Sequence, residues 1–324
     1  MDTPTRRAFN AGLVPLSLPR PAFEPAYVRL HQSGELERRA AQLYSIYQAC
    51  HLCPRACGVN RTRGETGVCQ SSHRARVYSA HAHFGEEPEL VGRGGSGTIF
   101  FSLCNLLCEF CQNWEINHRG DGSFTSDDAL ARMMVSLQDR GCENINLVTP
   151  THLVPNIVRA LPLAIRLGLR IPLVYNCGGY EALEAIRLLD GIVDIYLPDF
   201  KYTDGAAAAR FSRGARDYPE RAAEAIREMH RQVGHLQTNA RGAATRGLLI
   251  RHLVLPNNIS GTDQFVQWVA RELSPQTRVN LMAQYRPQYR ARNYPELARR
   301  LTAAEWRQAL EWAHAAGLRL SAAS

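Results

Sequence analysis

Apolar positions along the chain follow two alternating rhythms. Short runs rich in β-branched residues lie at 98–101, 144–149, 171–176, 192–197, 248–255 and 278–283. Each is followed by a stretch with helical apolar spacing, at 125–141, 154–167, 180–189, 216–233, 262–273 and 302–316. The first rhythm predicts strands and the second predicts amphipathic helices. Strand–helix units in succession predict an α/β fold with a parallel sheet, because each helix returns the chain by a right-handed crossover. Six units are too few for an eight-fold barrel. A partial (β/α)6 TIM-like barrel is therefore expected, with an open doubly wound sheet as the alternative. In both, chemistry gathers at the C-terminal ends of the strands, so residues that carry it should follow strands.

Ahead of the first unit the pattern differs. Residues 1–48 hold several prolines and then a helical stretch, 26–47; residues 50–69 hold four cysteines with Gly58, Gly64 and Gly67. That density of ligands and turn residues predicts a knuckle folded around a metal rather than around a core. The expected organisation is an N-terminal helical and cysteine-rich metal-binding extension, 1–90, and a barrel, 91–324. The G-x-G-x-x-G at Gly92–Gly97 precedes a strand instead of following one, so it reads as a turn and not a dinucleotide site. The Arg-rich segment 210–246 lacks interleaved aromatics and reads as a solvated face, with no nucleic-acid role expected.

Composition narrows this further. With 324 residues, 45% hydrophobic and 21% charged, the chain can bury a large core and is not a disordered one. No apolar run approaches the roughly 18 residues of a spanning helix. The stretch Thr5–Phe9 is similar to a twin-arginine export signal. However, Ala11–Leu18 is short, contains Pro15 and leads to no A-x-A site, so a basic arm is expected. Nine cysteines, odd in number and closely spaced, argue against a secreted disulfide framework and for metal sites in a reducing, cytoplasmic setting. The formal charge of +8 is almost wholly arginine: of 38 basic residues only Lys201 is lysine.

The strongest chemical signal is Cys104, Cys108 and Cys111, a C-x3-C-x2-C spacing directly after the 98–101 run. Thiolates are soft ligands suited to iron–sulfur clusters and zinc. Three of them would leave one iron of a 4Fe–4S cluster open for another ligand. The alternative is zinc with His118 as fourth ligand, although zinc sites more often use paired C-x2-C arms. Cys50, Cys53, Cys57 and Cys69 form a second group, C-x2-C-x3-C-x11-C, whose four thiolates suit either a 4Fe–4S cluster or zinc. Cys142, at a helix end, reads as structural.

The C-x3-C-x-Φ-C motif with Phe110 as the aromatic resembles the cluster motif of the radical S-adenosylmethionine (SAM) superfamily. The stretches CHLCPRACGVNR (50–61), GSGTIFFSLCN (95–105), CEFCQN (108–113), NINLVTPTH (144–152), VYNCGGYE (174–181), YLPDFKY (196–202), RHLVLPN (251–257) and LMAQYRP (281–287) extend it. Together they resemble the pyruvate formate-lyase activating enzyme-like branch, in a subgroup with an N-terminal cysteine motif.

The resemblance implies a 4Fe–4S cluster on Cys104, Cys108 and Cys111 whose fourth iron binds SAM. It implies reductive cleavage of SAM to methionine and a 5′-deoxyadenosyl radical that abstracts hydrogen, as in glycyl-radical-enzyme activation. It also implies SAM contacts from Phe110, Asn113, Thr149, Thr151, Asn176, Asp199, Lys201, Arg251 and Gln284, with His252 as a further candidate. Thr151 reads equally as a helix cap. In a chain that otherwise uses arginine, Lys201 suggests a geometry that a planar guanidinium does not fit. Cys177 reads as a packing residue, or as a radical relay if it faces the cavity. Expected partners are an electron donor such as flavodoxin or ferredoxin and a protein or peptide substrate, with no membrane. Modification of a peptide or small molecule aided by a second cluster is the rival within this chemistry. A non-catalytic iron–sulfur or zinc electron-transfer protein is the rival outside it.

Overall fold

The computed structural model describes residues 23–321; the twin-arginine-like stretch lies outside the described residues. Its strands are β1 (Ala75–His83), β2 (Ser96–Phe101), β3 (Ser123–Thr125), β4 (Ile145–Val148), β5 (Leu173–Cys177), β6 (Ile195–Pro198), β7 (Gln237–Thr238), β8 (Ala244–Leu253), β9 (Arg278–Met282) and β10 (Arg319–Leu320). Strands β2, β4, β5, β6, β8 and β9 are parallel neighbours in that order and correspond to the six runs read from the sequence. β10 adds two parallel residues at β9, and β1 runs antiparallel along β2 with β3 beyond it. Among the described residues no ladder joins β10 to β3, so the sheet curves without closing: an α/β partial barrel. Both free edges are short, which limits pairing with other chains.

The central strands are buried on both faces, as a helix-covered parallel sheet requires. Every residue of β5 and β6 is buried, and Ile145, Leu147 and Ile195 are at most 1% exposed. Burial of side chains of this kind stabilises by roughly 1.5–3 kcal/mol each. The helices start where their caps allow. The Ser126 hydroxyl accepts from the Ala129 amide ahead of the helix Asp127–Asp139, and Thr302 with Glu305 forms a capping box ahead of Ala303–Ala315.

Three expectations need correction. The stretch 26–47 is two helices, Ala26–Gln32 and Glu35–Ser45, because Gly34 takes φ +76° between them. β1 was not foreseen: only one end of it alternates buried with exposed residues, and its outer positions are polar. The polar stretch between the 192–197 strand and the 216–233 helix holds a further, unforeseen helix, Gly205–Phe211, whose Ala208 and Phe211 are buried. The described N-terminal residues Tyr27, Leu36, Leu43, Tyr47 and Leu52 lie in the same hydrophobic core as the barrel, which extends to Leu318. The Tyr47 hydroxyl donates to Asn156 Oδ1 at 2.8 Å, tying this region to the helix Val154–Arg166.

Candidate active site

The chain leaves β2 and turns twice through left-handed conformations, at Leu103 (φ +74°) and Leu107 (φ +52°). Non-glycine residues seldom hold that geometry without support. Here Leu107 is buried and Leu103 donates its amide to Ile116 O at 3.0 Å. The loop sets Cys104, Cys108 and Cys111 on the wall of a cavity of about 240 Å³ at the C-terminal ends of the parallel strands.

Each of these sulfurs accepts at least one hydrogen bond: Cys104 from the Leu106 amide (3.4 Å), Cys108 from the Ser212 hydroxyl (3.1 Å), Cys111 from Asn117 Nδ2 (3.3 Å). Burial pushes the Cys104 thiol up to about 12 and the Cys111 thiol to about 11; Cys108 is raised by the same cause and opposed by Lys201. Such thiols stay protonated until a metal takes them as thiolates. Hydrogen bonds to the sulfurs are also what tunes an iron–sulfur cluster. The donor set therefore fits a cluster. His118 does not complete a zinc site, because its Nε2 lies 3.1 Å from Cys108 O and its ring packs on Tyr289. Among the described residues no three Cys, His, Asp or Glu side chains converge on a single ion.

The rest of the wall includes a polar cluster. Asp199, just past β6, accepts from Lys201 Nζ at 2.6 Å and from Arg251 Nε at 2.9 Å. Arg251 also donates to Asn176 Oδ1 at 2.6 Å. Burial alone would raise the Asp199 carboxyl, but Arg251 and Lys201 outweigh it and hold the group below its usual range. Burial likewise disfavours the Lys201 ammonium, yet Asp199 and the Cys108 sulfur keep it charged. The result is a fixed pair of cations on Asp199, with Glu86 a further carboxylate 3.7 Å from Arg251, oriented before any ligand arrives.

Phe110, Asn113, Thr149 and Gln284 also line this cavity. Phe110 is clamped edge-on by Tyr202 and Tyr285. Thr149, past β4, takes φ +58° and donates its amide to Asn176 O. Gly178 also lines the wall, and a Cβ there would sit 2.7 Å from Leu106 Cδ1.

Two expected contacts are elsewhere. Thr151 is 1% exposed and is absent from the cavity wall; its hydroxyl donates to Glu181 at 2.7 Å, and it caps no helix. His252 is a core residue between Phe200 O and Thr262, stacked on Phe265. Cys177 does line the cavity. Behind it Glu181, fully buried, accepts from Thr151 and Tyr175, and burial raises its carboxyl to about 7 despite those bonds.

Cys50, Cys53, Cys57 and Cys69 line one smaller cavity together with Arg61 and His152. Arg55, between Cys53 and Cys57, reaches from this segment to the catalytic loop. It donates to Asn105 O (3.1 Å), Ser212 O (2.8 Å) and Arg213 O (2.7 Å). Sequence reading missed Arg55, Ser212, Asn117 and Glu181. Asn117 stands six residues after Cys111 and offered a local hint, whereas Ser212 sits in a segment that reads as solvated.

Fold and site together define a protein whose chemistry is staged on buried thiols at the open end of a partial barrel. Comparison with known proteins gives the same class. The Radical SAM superfamily model matches residues 98–240. An uncharacterized protein of Methanocaldococcus jannaschii is 33% identical over 280 residues, covering 83% of this chain and 75% of the relative. The chain carries a radical SAM superfamily domain at residues 98–240, and that family implies a 4Fe–4S cluster and SAM as cofactors. Among solved structures, methylornithine synthase (PylB) is similar with a TM-score of 0.44 and 11% identity, covering 92% of this chain and 75% of that one. TYW1 with a lysine-pyruvate adduct bound gives a TM-score of 0.40 and 9% identity, covering 67% and 73%. No helix among the described residues is long and apolar enough to cross a membrane.

Proposed function

We propose that this enzyme generates a substrate radical in the manner of the activating-enzyme-like branch, abstracting hydrogen from a glycine of a partner protein. The observation that supports it most is the pairing of three hydrogen-bonded thiols with the Asp199–Lys201–Arg251 wall across one cavity. When bound, the cluster and SAM supply one-electron cleavage of the sulfonium to a 5′-deoxyadenosyl radical, chemistry that belongs to the cofactor. The chain's own residues do the positioning. Cys104, Cys108 and Cys111 hold the cluster. Asp199 suits the amino group of SAM, and Lys201 and Arg251 suit its carboxylate and ribose oxygens. Asn113, Thr149, Asn176 and Gln284 offer further polar contacts, and the Phe110 side of the wall keeps water out.

A second reading draws support from Arg55, which joins the four-cysteine segment to the catalytic loop. In it, a second centre on Cys50, Cys53, Cys57 and Cys69, either 4Fe–4S or zinc, serves modification of a peptide or small molecule. In both readings an electron donor such as flavodoxin or ferredoxin reduces the protein in the cytoplasm. Anaerobic reconstitution followed by reduction should release 5′-deoxyadenosine from SAM, and Cys108→Ala should abolish that release. About eight iron per chain would indicate two clusters; about four iron with one zinc would indicate a zinc knuckle. An iron-replete, reduced protein that leaves SAM intact would sink the enzyme reading.

A further inference from the structure

The four-cysteine cavity has a fifth donor that comes from the barrel. His152 lies two residues past Pro150 at the end of β4, is 2% exposed, and lines that cavity with Cys50, Cys53, Cys57 and Cys69. Its Nε2 is 2.8 Å from Ser102 O. A carbonyl oxygen only accepts, so Nε2 carries the proton and Nδ1 presents a lone pair. That Nδ1 is buried and has no hydrogen-bond partner. Native interiors rarely leave such an atom unmatched without an ion or other group to meet it. Metal-bound histidines show the same arrangement, with one nitrogen donating to a carbonyl and the other bound to the metal.

The backbone of His152 is held as well. The Tyr47 hydroxyl donates to His152 O at 3.1 Å, and the Arg61 guanidinium stacks 4.1 Å from the centre of the Tyr47 ring while lining the same cavity.

We infer that His152 is a nitrogen ligand to the thiophilic metal centre, iron–sulfur or zinc, held in the four-cysteine cavity. This rests on the reading of Cys50, Cys53, Cys57 and Cys69 as a metal site. It makes that centre a mixed thiolate–imidazole one, assembled from the N-terminal segment and the barrel together. Because Ser102 lies two residues before Cys104, the same ring connects the second centre to the start of the catalytic loop. Five potential donors line the cavity, one more than the four that such a centre needs. One of the four cysteines is therefore dispensable for metal retention, and His152 is not.

The test uses full-length protein carrying Cys104→Ala, Cys108→Ala and Cys111→Ala, so that the N-terminal centre is the sole source of signal. After anaerobic reconstitution its metal is counted. If it holds iron, pulsed electron paramagnetic resonance of the reduced protein should show imidazole nitrogen coupling, and labelling with 15N-histidine should change it without any further substitution. If it holds zinc, X-ray absorption should show a nitrogen in the first shell. His152→Ala should remove the nitrogen signal and lower metal retention several-fold, while one of the four single cysteine variants keeps its metal. A metal-loaded centre with sulfur ligands alone, or four cysteines that are all indispensable, overturns the assignment of His152. Failure to hold any metal overturns the metal-site reading itself, and the assignment with it.

Discussion

The Ser212 hydroxyl donates to the Cys108 sulfur at 3.1 Å, across 104 positions of sequence. Ser212 is fully buried, and its backbone oxygen is held by Arg55 Nη2. A donor on a ligand sulfur stabilises the more negative, reduced state of a cluster. Ser212→Ala should therefore make the cluster harder to reduce, by on the order of tens of millivolts if the bond is worth about 1 kcal/mol. A potentiometric titration of the reduced-cluster signal measures it. An unchanged midpoint would remove Ser212 from the site.

Lys201 offers a stricter test of the polar wall. Its ammonium fits between Asp199 and the Cys108 sulfur as a point charge on a slender stem. The guanidinium of Lys201→Arg keeps the charge but brings a planar fork into the same cavity. Release of 5′-deoxyadenosine should fall at least about 10-fold, mainly through weaker SAM binding, because one misplaced bidentate group disturbs both neighbours. Wild-type turnover in this variant would mean that the charge alone matters.

Gly67 permits the closeness of the second cysteine group. A Cβ at this position would lie 2.6 Å from Cys57 Sγ, and the backbone there is not left-handed, so the obstacle is steric. Gly67→Ala should lower metal retention at the four-cysteine site while iron on Cys104, Cys108 and Cys111 remains. Metal analysis of the variant, read against SAM cleavage, separates the two. Full retention at both sites would dismiss the contact as tolerable.

Glu181 gives a pH dependence. Burial raises its carboxyl to about 7 in the folded protein, against about 4.3 for an unfolded glutamate. The folded state thus binds the extra proton between these values. The resulting stability is fully present below about pH 4 and is lost as pH rises through 7. Glu181→Gln keeps the acceptor for Thr151 or Tyr175 and removes the ionisation. The variant should lose much of the fall in stability between pH 5 and 8, a span on the order of 3 kcal/mol. Denaturant titrations at several pH values read it directly; parallel curves for both proteins would argue that Glu181 ionises freely.

The parts legible in the sequence were those encoded locally. Cys104, Cys108 and Cys111 declare themselves by spacing, and the strand ends supplied Asn176, Asp199 and Arg251 because an α/β sheet presents its loops on one side. Lys201 followed a strand end too, and stood out further against the arginine-rich background. Thr151 was misplaced because one turn of 3-10 helix, Thr151–Leu153, swings its hydroxyl toward Glu181. Arg55 and Ser212 were invisible for a different reason: each acts through partners 50 to 158 residues away, and no local pattern marks such a bond.

Those distances bear on how the catalytic loop becomes ordered. The three acceptors of Arg55 are synthesised long after it, and two of them only after β6 is complete. Contacts of such separation carry a large loop-closure cost, which the intervening chain must meet before they form. The N-terminal segment is thus a keystone rather than an accessory: a chain cut to begin at β2 would leave three backbone oxygens around the cysteine loop without their guanidinium donor. Arg55 can make all three bonds only once the chain through Arg213 is in place.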